Sequence, residues 1–139
     1  MLSRLIAMIF MFFCCQSGAE ELVVVVNKAN PVTTLQKSQI IDIYMGKFVA
    51  FPNGASAFPV DFESDMSLRT TFFETLLEQP VSRVNAYWSR LRFAGKVRPP
   101  SKERTVQGVL AYIRDNPGGV GYLPANAVTP DVKVVYRLE

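Results

Sequence analysis

Phe58-Pro59-Val60-Asp61-Phe62-Glu63-Ser64-Asp65-Met66-Ser67-Leu68-Arg69-Thr70-Thr71-Phe72-Phe73 reads as a strand, a polar turn and the start of a helix. The apolar residues Phe58, Val60 and Phe62, with Asp61 between them, give way to Glu63, Ser64, Asp65 and Ser67. A helical pattern follows that carries Arg69 and Thr70 in its first turn. A helix start of this kind presents unpaired backbone N–H groups and the positive end of the helix dipole, and short hydroxyl side chains add donors. The same residues also serve as ordinary caps, with Asp65 the preferred N-cap and Ser64 the alternative.

Working outward from this stretch, strands and helices interleave. Leu22 to Val26 is an uninterrupted aliphatic run ending at Asn27, which reads as a strand buried on both faces, as in parallel sheets. Asn30-Pro31 marks a loop, and a helix starting near Lys37 or Ser38 presents Ile40, Ile43 and Tyr44 before stopping at Gly46. Pro52-Asn53-Gly54 turns a small excursion ahead of Phe58. Beyond Phe73 the helix ends at Gln79-Pro80, and Ser82 is expected to cap another, with Val84, Tyr87, Trp88 and Leu91 on its apolar face. Ser101 is expected to open a third, with Val106, Val109, Leu110 and Ile113 at helical spacing. Strands at Val120–Leu123 and Val132–Tyr136 close the chain. The fold class expected is α/β, a mostly parallel central sheet flanked by helices. Ligands of open sheets lie off the carboxyl ends of the strands, so Glu63–Ser67 and the Asn27–Pro31 loop, with Gly121 and Tyr122, are expected along one edge.

Composition narrows the chemistry. Residues 1–19 form a leader: Arg4, an apolar core from Leu5 to Cys15, then the small residues Ser17-Gly18-Ala19. Cleavage after Ala19 makes the remainder, 20–139, one exported domain, periplasmic and not membrane-spanning; the leader is too short to cross a bilayer comfortably. It also removes Cys14 and Cys15, and the sequence has no histidine. Thiol and serine–histidine nucleophiles and His/Cys zinc sites are thereby excluded, and no cofactor or metal is expected. An enzyme would have to draw on Asp61 and Glu63, which share a strand face, and the same acidic cluster is the alternative place for a hard cation. The net charge of +3 falls by one with Arg4. Arg83, Arg90, Arg92, Lys96, Arg98, Lys102 and Arg104 crowd one segment, either a solvated face or an attraction to an acidic partner. No nucleic-acid motif is present.

Several pieces in order, V-N-K-A-N-P at 26–31, I-I-D-I-Y-M-G-K at 40–47, the strand and S-D-x-S turn at 58–67, and N-P-G-G-V-G-Y at 116–122, resemble the second lobe of the phosphate-binding proteins of ABC transporters, within the type 2 periplasmic binding protein superfamily. The resemblance covers nearly all of the chain beyond the leader. It implies a single binding-protein-like lobe, weak binding of phosphate or a related oxyanion by Ser64, Asp65, Ser67, Arg69 and Thr70, and a membrane transporter or sensor protein as partner. A ligand-free accessory role is the alternative. The family's turn runs Arg-Ser-Asp-Gly-Ser-Gly-Thr. Here Ser64, Asp65 and Ser67 match, while Glu63 replaces the arginine, Met66 and Leu68 the glycines, and Arg69 the threonine. Glu63 forfeits a bidentate donor and repels an anion, which leaves Arg69 to compensate.

Overall fold

Five strands and four helices build the computed structural model, which describes residues 21–95 and 97–139. The expected leader lies outside these residues. In chain order the elements are β1 (Leu22–Asn27), α1 (Lys37–Tyr44), β2 (Phe58–Phe62), α2 (Ser67–Leu77), α3 (Val81–Ala94), β3 (Ser101–Glu103), α4 (Val106–Asp115), β4 (Gly119–Pro124) and β5 (Val132–Arg137). The strands lie in the order β3-β2-β4-β1-β5.

The sheet is mixed rather than mostly parallel. β2 pairs in parallel with β3 and β4, whereas β1 lies antiparallel between β4 and β5. The aliphatic run of β1 is buried throughout, as expected. Burial on both faces requires only that both faces be covered, so it does not fix strand direction. The reversed β1 also separates the two loops expected together. Asn27 pairs with Val132, one residue beyond the Val26↔Val120 pair, at the opposite edge from the turn that follows Phe62. There its side-chain amide donates to the Ile113 and Arg114 carbonyls at the end of α4, at 2.7 and 3.1 Å.

Three local expectations change as well. Ser101 opens β3, not a helix; α4 starts after Thr105, whose hydroxyl accepts from the Gly108 N–H at 2.9 Å. Three residues of strand suffice because β2 supplies a parallel partner, with Asp61 opposite Lys102. The N-cap of α2 is Met66, which offers no capping side chain, so neither Asp65 nor Ser64 holds that place. Pro80, not Ser82, precedes α3, and the Glu74 carboxylate accepts from the Val81 N–H at 3.0 Å. Proline suits a helix start because its fixed φ is already compatible and its missing N–H is not needed there.

The alternation of β4 assigns the two faces of the sheet. A Cβ on Gly121 would come within 2.9 Å of Ile113 Cδ1 and Val60 Cγ1 and 3.0 Å of Val109 Cγ1, so the missing side chain lets α4 sit close. Tyr122 points the other way and stacks on Phe72 of α2, centroids 3.7 Å apart, with Tyr44 of α1 edge-on at 5.8 Å. The β2–β4 ladder is registered only at Phe58↔Gly119 and Pro59↔Val120. Proline brings no N–H to a ladder, and beyond it the Tyr44 hydroxyl donates to the Val60 carbonyl at 2.8 Å. Asp61 and Tyr122 sit where the strands part.

Candidate functional site

Asp61 is the centre from which the site is built. It is 1 % exposed, and as the cross-strand partner of Lys102 it shares a face with that residue. A buried carboxylate must be paired to be tolerated. Its Oδ1 accepts from the Tyr122 hydroxyl and from the Phe62 N–H at 2.8 Å. Oδ2 accepts from Arg69 Nε at 3.0 Å and Lys102 Nζ at 2.9 Å. Burial pushes the Tyr122 and Tyr44 phenols well above the ordinary tyrosine range, and the neighbouring Asp61 charge acts in the same direction. Both phenols therefore stay protonated, and Tyr122 donates. With its oxygens committed in this way, Asp61 does not front solvent together with Glu63 as acid–base chemistry would need. Among the described residues no cluster of acidic side chains is arranged to hold a metal ion.

Arg69 ties this centre to the surface. Only 3 % exposed, it reaches from α2 beneath the turn, lies over the Phe73 ring at 5.0 Å, and donates through Nη1 to Asn85 of α3 at 2.7 Å. On the outer side of Arg69 opens a cleft of about 340 Å³ between α3 and the edge strand β3. Asn85, Trp88, Ser89 and Arg92 line one wall. These are positions i, i+3, i+4 and i+7 of α3, one face of a helix. Lys102, Pro99 and Ser64 complete the lining with Arg69. Two cations, Arg69 and Lys102, thus meet on a single carboxylate that lies behind them, and a third, Arg92, lines the same cleft. Hydroxyl and amide groups stand alongside, and among the described residues no acidic side chain is in the wall. Such an arrangement attracts and orients an anion.

Of the residues expected at the site, Ser64 and Arg69 line this cleft. Asp65 is exposed and stands 3.8 Å from an equally exposed Arg104, a surface pair that contributes little. Ser67 is the exposed first residue of α2, and Thr70 is half-buried one turn on. Neither they nor Asp65 lines the cleft. Tyr122 reaches the site through its hydroxyl, whereas Asn27 and Gly121 belong elsewhere, at the far edge and under α4. Sequence reasoning did not single out Asn85 and Ser89, and placed Arg92 and Lys102 only in a basic segment. The signal for the first three was present: a polar row at 85, 89 and 92 runs beside the apolar row of the same helix.

With the geometry established, comparison with solved structures places the fold. An ABC-type phosphate transport receptor from Vibrio cholerae superposes with a TM-score of 0.65 at 21 % identity, over 83 % of this chain and 45 % of that one. A phosphate ABC transporter substrate-binding protein with bound phosphate from Clostridium perfringens gives 0.65 and 21 %, over 83 % and 44 %. PstS from Borrelia burgdorferi gives 0.64 and 11 %, over 84 % and 46 %. At the level of sequence no family model matches the chain, and no curated protein does. The fold therefore matches part of these phosphate ABC transporter substrate-binding structures, and the chain spans a little under half of their length. None of the helices among the described residues is long and apolar enough to cross a membrane.

Proposed function

We propose that the chain is an exported oxyanion-binding component related to the substrate-binding proteins of phosphate ABC transporters, and that it holds its ligand in the cleft between α3 and β3. The observation that carries this reading is the convergence of Arg69, Arg92 and Lys102 on one face above Asp61. Arg69 and Lys102 are oriented by the buried carboxylate before any ligand arrives, so little order has to be created on binding. Arg92, exposed on α3, supplies the charge that no carboxylate within the cleft offsets. Ser64 and Ser89 add hydroxyl donors, and Asn85 fixes the Arg69 fork. In this reading Ser64 and Arg69 contact the anion, while Asp65, Ser67 and Thr70 shape the turn that carries Ser64.

Glu63 explains why the cleft, rather than the turn itself, is the better seat. It occupies the place of the family's arginine, and its backbone N–H is bonded to the Glu103 carbonyl at 3.0 Å. The compensating cations come instead from α3 and β3, displaced from the helix start. Because the cleft is open on one side, solvent screens each contact, and affinity in the micromolar to millimolar range is expected.

Thermal unfolding with millimolar phosphate or sulfate tests the reading. The expected result is a rise in Tm for the protein that is smaller in Arg92→Ala; no rise with either anion removes the proposal. Export rests on the leader at 1–19, and an N-terminal sequence from cells that begins at Met1 would remove it. The partner proposed is the membrane part of such a transporter. Cross-linking in intact envelopes that recovers no permease would argue against that assignment.

A further inference from the structure

We infer that the occupant of the α3–β3 cleft is a phosphomonoester, a phosphate carried on an organic body, rather than the bare ion; the inference rests on the oxyanion reading of the same site. Size is the first argument. The cleft offers about 340 Å³, within the range of small-molecule sites, roughly 300–1,000 Å³. A bare tetrahedral oxyanion displaces only about two or three waters of ~30 Å³ each. Inorganic phosphate would leave most of the space to solvent.

The lining supplies the second argument. Its polar and charged groups, Arg69, Lys102 and Arg92 with the two serines, share the cleft with the indole of Trp88 and the ring of Pro99. Trp88 is 8 % exposed, and its ring is held from behind: a Cβ added at Gly46 would lie 3.0 Å from Cη2. A rigid aromatic edge beside fixed cations suits a ligand with an anionic head and an apolar or ring-shaped body. Such a body would cover these surfaces, exclude water and so strengthen the contacts to the anion, which offsets the open geometry.

Charge selects the head group, phosphate over other esters and acids, and leaves the organic body to the first two arguments. Three cations against the one carboxylate of Asp61 leave a surplus of two positive charges. A phosphomonoester, with a second pKa near 6, carries close to two negative charges at neutral pH. A sulfate ester or a simple carboxylate carries one.

Trp88 is the only tryptophan of the chain, so its fluorescence reports on the site directly. Titrations of the protein with phenyl phosphate, inorganic phosphate, phenyl sulfate and phenol, excited beyond phenol absorption, separate the contributions. The expected result is saturation by phenyl phosphate at a concentration at least tenfold below that needed for inorganic phosphate and for phenyl sulfate. Phenol alone should give no saturable change, and Arg92→Ala should weaken phenyl phosphate and inorganic phosphate by the same factor. Equal affinity for phenyl phosphate and inorganic phosphate overturns the inference and leaves the oxyanion reading standing. No binding of any anion overturns both.

Discussion

The inner and outer halves of the cleft are built on different principles. Inside, Asp61, Tyr122 and Arg69 are almost wholly buried, Asp61 bonds to both of the others, and the surroundings are the aromatic cluster of Tyr44, Phe72 and Phe73. Outside, Arg92, Ser89 and Ser64 are exposed on a helix face and a turn. Lys102, with 30 % of its side chain exposed, belongs to both. The contrast teaches that cations beside a candidate ligand site need not serve a ligand alone. Arg69 is first the counter-charge of a buried carboxylate, and only its outer edge is available to an anion. Changes to the inner half should therefore register as stability and changes to the outer half as binding.

The largest effect expected is at Asp61. Asp61→Asn leaves Arg69 buried without its counter-charge and should cost about 3–5 kcal/mol of unfolding free energy, read by urea denaturation. A loss below about 1 kcal/mol would mean that the inner half is not the structural centre described, since that is the scale of an exposed pair. Next comes Gly121→Ala, which drives a methyl into Ile113, Val60 and Val109. Overpacking there should cost about 1–3 kcal/mol. A neutral result would show that α4 can retreat without disturbing β4.

Alkaline titration gives a third, smaller effect. The folded-state pKa values of Tyr44 and Tyr122 are raised, so their contribution is fully present below the unfolded value of about 10 and declines as pH rises above it. Each phenol then removes about 1.4 kcal/mol per pH unit. Tyr122→Phe should abolish one such share of the slope above pH 10. An unchanged slope would show that Tyr122 ionises in the folded protein as it does in the unfolded chain. The smallest stability effect belongs to the outer half: Arg92→Ala should change unfolding by less than about 1 kcal/mol, the scale of a cation in the last turn of a helix, yet weaken the response to anions. If Arg92→Ala unfolds the protein as Asp61→Asn does, the distinction between the halves fails.

Much of this architecture was legible before the structure. The aliphatic run of β1, the strand–turn–helix at 58–73 and the periodic faces of α1 and α3 follow from spacing alone. Sheet direction did not, because the Leu22–Val26 run is equally compatible with either pairing once both faces are covered. The short β3 was hidden because Ser101–Glu103 is polar and precedes a real helical pattern, and only the parallel ladder to β2 makes it a strand. At the site, Ser64 was accessible because a local motif names it, and Arg69 because it stands beside that motif in the first turn of the helix. Lys102 was not, since nothing local couples it to Asp61, 41 residues earlier. Asn85 and Ser89 were obscured by the stronger apolar row of their own helix. Asp61 itself carried a visible but ambiguous signal: a carboxylate between strand hydrophobics was open to acid–base chemistry or a hard cation, and only its partners reveal a buried ion pair.

The most direct measurement of the central claim is amide chemical-shift mapping of the protein on addition of inorganic phosphate, with the Trp88 indole included. The account predicts saturable changes centred on Ser64, Asn85, Ser89 and Trp88, with the far edge around Asn27 and Gly118 unmoved. Changes centred on that far edge, or none at millimolar phosphate, would contradict it.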